Sequence, residues 1–143
     1  MITKFLVSEF AALSLVAINF LVFFINPNLK NYSGLSIAVA GLIIYLYNLF
    51  IMGKSWSIDV RANKLVTDGF FKYIRHPLYL GSMIICLGLI IMSYNAYLLI
   101  LFLLIDLPFV WFKSRFEEEF LKKNMKGYKD YMKKTYMFIP KII

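Results

Sequence analysis

The sequence predicts an all-α, polytopic membrane protein with four transmembrane helices and a C-terminal amphipathic helix. Two observations predict this fold class. Apolar residues make up 61% of the 143-residue chain, well above the roughly 45–50% of an average soluble domain. These residues are concentrated in four long runs, and the basic residues lie at the borders of the runs. A single domain covering residues 1–143 is expected at this length.

Each apolar run is close to the roughly 20 helical residues that cross a bilayer. The predicted spans cover about residues 5–25, 35–52, 77–93 and 97–112. The first run lacks a small-x-small cleavage site, so we expect a retained span rather than a signal peptide. Strands are not expected, because a lone strand in lipid leaves its backbone polar groups unpaired.

The basic residues predict the orientation of the spans. Of the 16 lysines and arginines, 14 lie in the loop 53–76 and the tail 113–143. By the positive-inside rule both segments face the cytoplasm, and so do both termini. Because these charges border apolar spans, we expect the partner to be the lipid bilayer and its anionic headgroups, and not nucleic acid.

The tail after the fourth span is predicted to form an amphipathic helix over residues 113–134. It has an apolar residue at helical spacing on a polar background. These apolar residues are Phe116, Phe120, Leu121, Tyr128, Tyr131 and Met132. The helix is expected to continue from the fourth span and to bend along the membrane surface, with a kink at Gly127. Pro108 is expected to kink the fourth span itself.

The first candidate constellation lies where the third span begins. Pro77 suits the first position of a helix, because its missing N–H costs nothing there. Arg75 and His76 then precede a helix start, where free N–H groups and the helix dipole favour anions. Tyr79 and Gly81 follow within about one turn. The alternative is that Arg75 and His76 are interfacial anchors without a ligand.

The second constellation is Arg115 with three consecutive carboxylates, Glu117, Glu118 and Glu119. On a helix, Arg115 lies on one face with Glu118 or Glu119. The carboxylates either form a solvated, self-paired face or bind a ligand that carries donors or positive charge. Asp106, within the fourth span, is a functional-site candidate by its membrane position, and it could instead pair with Asn19 or Asn48.

The sequence argues against a metal centre. It contains one histidine and one cysteine, whereas a zinc site normally takes four protein or water ligands. Cys86 lies in an apolar run and is interpreted as a small core residue. No phosphate-binding or dinucleotide-binding glycine motif is present. We therefore expect no metal and no nucleotide site of these kinds.

The segment from Leu65 to Gly81 resembles the signature of the isoprenylcysteine carboxyl methyltransferase family, approximately L-V-T-x-G-P-Y-x-x-x-R-H-P-x-Y-x-G. It reads L-V-T-D-G-F-F-K-Y-I-R-H-P-L-Y-L-G in this chain. Upstream, Gly53-Lys54-Ser55-Trp56 resembles the short G-x-x-W/F element of the family. The tail also resembles the family pattern, R-x-E-E-x-x-L, then F-G-x-x-Y-x-x-Y and F-x-P. Phospholipid N-methyltransferases and, more loosely, membrane sterol reductases share this layout.

The resemblance implies a site for S-adenosyl-L-methionine between the R-H-P element and the tail glutamates. Its implied cofactor-binding residues are Arg75, His76, Pro77, Tyr79, Gly81, Glu117 and Glu118. The choice between the pairs Glu117-Glu118 and Glu118-Glu119 stays open. Two departures from the family pattern are Phe70 in place of proline and residues 125–127 in place of the F-G pair.

The resemblance also implies transfer of a methyl group to a carboxylate or other nucleophile of an amphiphilic, lipid-like acceptor. Arg75, Tyr79 and Arg115 are the predicted catalytic residues. An anionic acceptor needs no general base, so alignment and desolvation would supply the rate. Three alternatives stay open: a phospholipid amine N-methyltransferase, an NADPH-dependent lipid reductase and a non-enzymatic membrane scaffold.

Overall fold

A computed structural model describes residues 32–53 and 65–140, and all the secondary structure in those two segments is helical. Helix α1 covers Tyr32–Met52, α2 covers Pro77–Ser93, α3 covers Ala96–Asn124 and α4 covers Tyr128–Lys134. A short 3-10 helix, Gly69–Lys72, precedes α2. The predicted all-α class is therefore confirmed for these segments. The first predicted span, residues 5–25, lies outside them.

Two of these helices, α1 and α3, are long and apolar enough to cross a membrane by length and composition. They contain the predicted spans 35–52 and 97–112. Helix α2 coincides with the predicted span 77–93 and is apolar, but its 17 residues fall just short of that criterion. Pro77 lies in its first turn, as the sequence predicts.

Helices α1 and α2 pack antiparallel with their backbones in close approach, because small residues line the contact. A Cβ atom added to Gly88 would lie 2.4 Å from the backbone nitrogen of Ala38. One added to Gly41 would lie 2.7 Å from the backbone nitrogen of Ile85. Small residues of this kind let apolar helices associate through van der Waals contact in lipid, where no hydrophobic driving force brings them together.

The turn between α2 and α3 is as short as the sequence predicts. Tyr94 adopts a left-handed conformation with φ of +48°. Asn95 then caps α3, and its side-chain oxygen accepts hydrogen bonds from the backbone nitrogens of Tyr97 and Leu98 at 3.0 and 3.3 Å. This cap satisfies donors that a helix start would otherwise leave unpaired.

Helix α3 runs without a break through Pro108, where the sequence predicts a kink. A π-helical turn, Phe102–Asp106, comes directly before the proline, and the backbone N–H of Leu107 donates to the carbonyl of Phe102. Proline lacks an N–H and its ring collides with the carbonyl four residues earlier. The wide turn accommodates that loss, and α3 continues to Asn124 as the sequence predicts.

The predicted tail helix is two separate helices in the structure. Helix α3 ends at Asn124, and α4 starts after Gly127, whose φ of +84° suits glycine and ends the regular helix. Helix α4 is tied to the 3-10 helix by the hydroxyl of Tyr131, which donates to the carbonyl of Phe71 at 2.7 Å. Burial raises the pKa of Tyr131 to about 12, so this hydroxyl stays protonated and can donate.

Candidate active site

The candidate site lies where the start of α2, the charged end of α3 and the C-terminal strap meet. We define the C-terminal strap as residues 135–138, which follow α4. The strap forms an isolated parallel bridge, Ile74 with Tyr136. The backbone nitrogens of Arg75 and His76 donate to the carbonyls of Tyr136 and Met137 at 2.8 and 3.1 Å. These amides, predicted as part of an anion cradle, therefore bind the strap.

Arg75 holds three parts of the tail together. Its Nε donates to Glu118 Oε1 at 2.5 Å. Its Nη1 donates to the carbonyl of Met132 at 3.4 Å and also to the carbonyl of Thr135. The side chains of Arg75 and Glu118 are only 10% and 1% exposed, so this ion pair is nearly dry. Arg75 thus positions both the carboxylate and the strap.

His76 lies between two carboxylates. Its Nδ1 is 3.7 Å from Glu117 Oε2 and its Nε2 is 3.4 Å from Glu118 Oε1. These distances exceed those of good hydrogen bonds, but a protonated ring would form an ion pair with each carboxylate. The imidazole stacks on Tyr79 with ring centroids 5.5 Å apart and lies 5.8 Å from the ring of Phe138.

Tyr79 links His76 to α3. Its hydroxyl donates to Glu117 Oε1 at 2.6 Å, a short bond of the kind expected when the acceptor is ionised. The ammonium of Lys113, itself buried, lies 4.8 Å from the centre of the Tyr79 ring. That distance is within the range of a cation–π contact. Met137 and Phe138 pack beside Tyr79 and close the site on the strap side.

Glu118 is held as a carboxylate at a buried position. Burial on its own would raise its pKa, but the neighbouring His76 and the Arg75 guanidinium together lower it below the usual value. Glu118 lies beyond the apolar part of α3, where charged residues begin at Lys113. The site therefore carries a fixed negative charge directly at the predicted membrane boundary.

Several buried polar atoms at the site have no hydrogen-bond partner among the residues that the structure describes. They include Glu118 Oε2, His76 Nε2 and Ser114 Oγ. Ser114 and Glu118 are fully buried, and they lie one turn apart on the same face of α3. Buried polar atoms nearly always find a partner, because an unpaired one costs roughly 1–3 kcal/mol. Their concentration here indicates a ligand site.

The structure gathers six of the residues that the sequence singles out. They are Arg75, His76, Pro77, Tyr79, Glu117 and Glu118. Glu119 is exposed and pairs with Lys122 at 2.6 Å, so Glu117 and Glu118 are the pair that faces the site. The tail carboxylates do not form one self-paired solvated face.

Two predicted site residues lie elsewhere. An added Cβ at Gly81 would come within 3.1 Å of the backbone of Tyr45, so Gly81 serves the close contact of α2 with α1. Arg115 is exposed, and its guanidinium lies 5.9 Å from the ring of Trp111. Arg115 precedes Glu118 by three residues, yet Glu118 pairs with Arg75 instead. The catalytic role predicted for Arg115 stays a prediction, and this geometry does not support it.

The sequence analysis did not identify Lys113 and Ser114 as site residues. Each precedes a site glutamate by four residues, and residues at that spacing share a helix face. Extending the face of Glu117 and Glu118 back by one turn would have found both. The strap residues had only a weak signal, because their contact with residues 73–76 joins distant parts of the chain.

The described fold and site define an all-α protein with membrane-length apolar helices and a buried carboxylate site at the charged end of one of them. The model of the phospholipid methyltransferase family matches residues 29–127 of the chain. That match covers α1, α2 and α3 with both site glutamates. The chain therefore belongs to the phospholipid methyltransferase family.

The most similar curated relatives carry a related description. Two rice proteins, from Oryza sativa subsp. indica and subsp. japonica, are described as probable protein-S-isoprenylcysteine O-methyltransferases. Each is 28% identical over 125 residues, covering 80% of this chain and 65% of the relative. Protein-S-isoprenylcysteine O-methyltransferase B of Arabidopsis thaliana is 31% identical over 113 residues, covering 72% of this chain and 56% of that protein. The chain spans less than two thirds of the length of these relatives. No solved structure matches it.

Proposed function

We propose that the protein is an integral membrane methyltransferase that uses S-adenosyl-L-methionine and methylates a nucleophile on a lipid-like acceptor. The observation that carries the proposal is the set of unpaired, buried polar atoms on His76, Ser114 and Glu118. These atoms lie at the charged end of an apolar, membrane-length helix. Membership of the family and the names of the curated relatives support the same class of reaction.

The residues of the site fit the cofactor. Its ammonium and ribose hydroxyls are donors, and Glu118 Oε2 is a buried anionic acceptor without a partner in the described part of the chain. Glu117 adds a second carboxylate, and Ser114 can donate or accept. Arg75 would act by holding Glu118 and the C-terminal strap in place, since its Nε and Nη1 already donate to groups of the protein.

Tyr79 and the membrane position of the site support the chemistry. Bound S-adenosyl-L-methionine would supply an electrophilic methyl group on a sulfonium. The Tyr79 ring, fixed between His76 and Lys113 with its hydroxyl on Glu117, would flank that methyl group. A carboxylate acceptor is already anionic and needs no general base. Alignment of the acceptor, and exclusion of water by Met137 and Phe138, would supply the rate.

A phospholipid amine is the second candidate acceptor, and the description of the family favours it. An amine must be neutral to attack, so the site would have to take up a proton. His76, with a carboxylate near each ring nitrogen, is the group placed to receive it. An NADPH-dependent reductase and a non-enzymatic scaffold are the alternatives that cofactor binding separates from a methyltransferase.

The proposal includes four membrane spans with both termini and the site on the cytoplasmic side. The apolar helices α1 and α3 support it, and so do the basic residues that border the predicted spans. The acceptor would reach the site laterally from the bilayer, because a lipid tail gains nothing by leaving it.

Titration of S-adenosylhomocysteine into the purified protein in detergent, followed by calorimetry, tests the cofactor assignment. The wild type should show saturable binding. Ser114→Ala should weaken it by roughly 3–10-fold, the value of one hydrogen bond. Because Ser114 Oγ bonds to no described residue, this change should leave the thermal midpoint nearly unaltered.

Glu118→Gln should weaken binding further, by roughly 10–100-fold, because a charge-assisted contact is lost. Glu119→Gln is the matched control, since Glu119 is the adjacent, exposed carboxylate, and it should bind as the wild type does. Folded wild-type protein that shows no binding at millimolar S-adenosylhomocysteine would refute the methyltransferase. Binding of NADPH instead would indicate the reductase.

A further inference from the structure

Asn48 is a polar residue inside the apolar helix α1, and its side chain is completely buried. Its Nδ2 donates to the carbonyl of Ile44 at 2.7 Å. Its Oδ1 accepts no hydrogen bond from any described residue. Asp106, a partner considered from the sequence, is not bonded to this amide. In a bilayer an unpaired buried oxygen is costly, so Asn48 points to a donor from outside the protein.

The register of α1 against α2 places Asn48 beside the candidate site. Gly34, Gly41 and Asn48 recur every seven residues and therefore lie on one face of α1, the face that meets α2. Tyr45 lies opposite Gly81. Since the helices are antiparallel, one more turn along α1 brings Asn48 opposite the first turn of α2, which Pro77 begins.

Burial singles out the same place. The four largest side chains that are fully buried are Glu118, Asn48, Pro77 and Ser114. Three of these four carry an atom without a hydrogen-bond partner in the described segments. The unpaired atoms on α3 and the unpaired oxygen on α1 thus flank the start of α2 from its two sides. The site extends onto α1, which the sequence motifs do not reach.

The chemistry of Asn48 Oδ1 selects one part of the cofactor. The oxygen belongs to a neutral amide and accepts from N–H or O–H donors. An ammonium group is stabilised more by a carboxylate than by an amide, so it goes to Glu117 or Glu118. The remaining nitrogen donor is the exocyclic amino group of adenine, which is neutral and lies on a flat ring that fits between apolar helices.

We infer that Asn48 Oδ1 accepts a hydrogen bond from the exocyclic amino group of the adenine ring. Asn48 is then the residue that selects an adenosyl cofactor over its inosyl counterpart, which carries an oxygen at that position. Two acceptor oxygens would face each other in the inosyl complex. The inference rests on the proposed function, because it assigns one contact within the same cofactor site.

The test compares S-adenosylhomocysteine with S-inosylhomocysteine by calorimetry on the full chain in detergent. The wild type should bind the adenosyl compound at least roughly 10-fold more tightly, since a site built for a donor rejects an analogue without it. Asn48→Leu should bind the adenosyl compound more weakly and should bind the two compounds equally. Leucine has a similar size and leaves no unpaired oxygen, so this variant should fold.

Asn95→Ala is the control for stability. It removes the cap of α3 at the opposite end of the helix pair, so it should lower the thermal midpoint and keep the adenosyl preference. Equal binding of both compounds by the wild type, or an adenosyl preference that survives Asn48→Leu, would overturn the inference while the cofactor site stands. Failure of the wild type to bind either compound would overturn the proposed function as well.

Discussion

Replacing Arg75 with alanine should destabilise the folded protein by roughly 3–5 kcal/mol, the range for removing one partner of a buried ion pair. Glu118 would be left as a buried carboxylate without its closest partner. The carbonyls of Met132 and Thr135 would lose their donor at the same time. The C-terminal strap would then be held only by its backbone bonds to residues 73–76.

Thermal unfolding in detergent measures this effect, and a loss of 3–5 kcal/mol should lower the midpoint by about 10 °C or more. Limited proteolysis should cut the strap of the variant first. Arg115→Ala is the matched control, because Arg115 is an exposed arginine on the same helix as Glu118. It should change stability by less than about 0.5 kcal/mol. Equal midpoints for the two variants would show that Arg75 does not hold the site together.

Replacing Gly88 with valine should separate α1 from α2. The first added carbon would lie 2.4 Å from the backbone nitrogen and 2.8 Å from the Cα of Ala38. A backbone cannot move aside as a flexible side chain can, so the helices themselves must shift. Overpacking usually costs about 1–3 kcal/mol, and we expect the upper end of that range or more here.

Expression level and the thermal midpoint in detergent measure this separation. Ala40→Val is the control, because Ala40 is exposed on the same helix and the change also adds branched methyl groups. It should leave both quantities near the wild-type values. Because Asn48 and the start of α2 depend on the same helix contact, Gly88→Val should also weaken binding of S-adenosylhomocysteine. Wild-type stability of Gly88→Val would contradict the close α1–α2 packing.

Much of the helical layout follows from local sequence. Apolar runs predict the helices at 35–52, 77–93 and 97–112, because a helix in lipid must be apolar over its length. Pro77 marks the first turn of α2, and Asn95 marks the turn before α3. These signals lie within a few residues of the feature that they specify, so no knowledge of the rest of the fold is needed.

The π-helical turn and the break of the tail helix are harder to predict. Pro108 signals that the hydrogen-bond pattern of α3 must change, but a kink and a wide turn both relieve the same clash. Gly127 indicates a bend, and the apolar spacing around it still fits one helix. In the structure the left-handed conformation of Gly127 separates α3 from α4.

The candidate site divides in the same way. The local pattern of Arg75, His76 and Pro77 and the resemblance to a family locate both halves of it. The pairing of Arg75 with Glu118 joins residues 43 positions apart, and spacing along one helix suggested Arg115 instead. Asn48 had no motif at all, and only the packing of α1 on α2 shows its place.

Transfer of a labelled methyl group tests the central claim most directly. Membranes containing the protein would be incubated with S-adenosyl-L-methionine that carries a tritiated methyl group, and the label would be counted after extraction into organic solvent. The account predicts label in the lipid fraction that depends on the protein, falls with Ser114→Ala and is lost with Glu118→Gln, while Glu119→Gln retains it. Label no higher than in membranes without the protein, although the purified protein binds S-adenosylhomocysteine, would contradict a lipid-like acceptor.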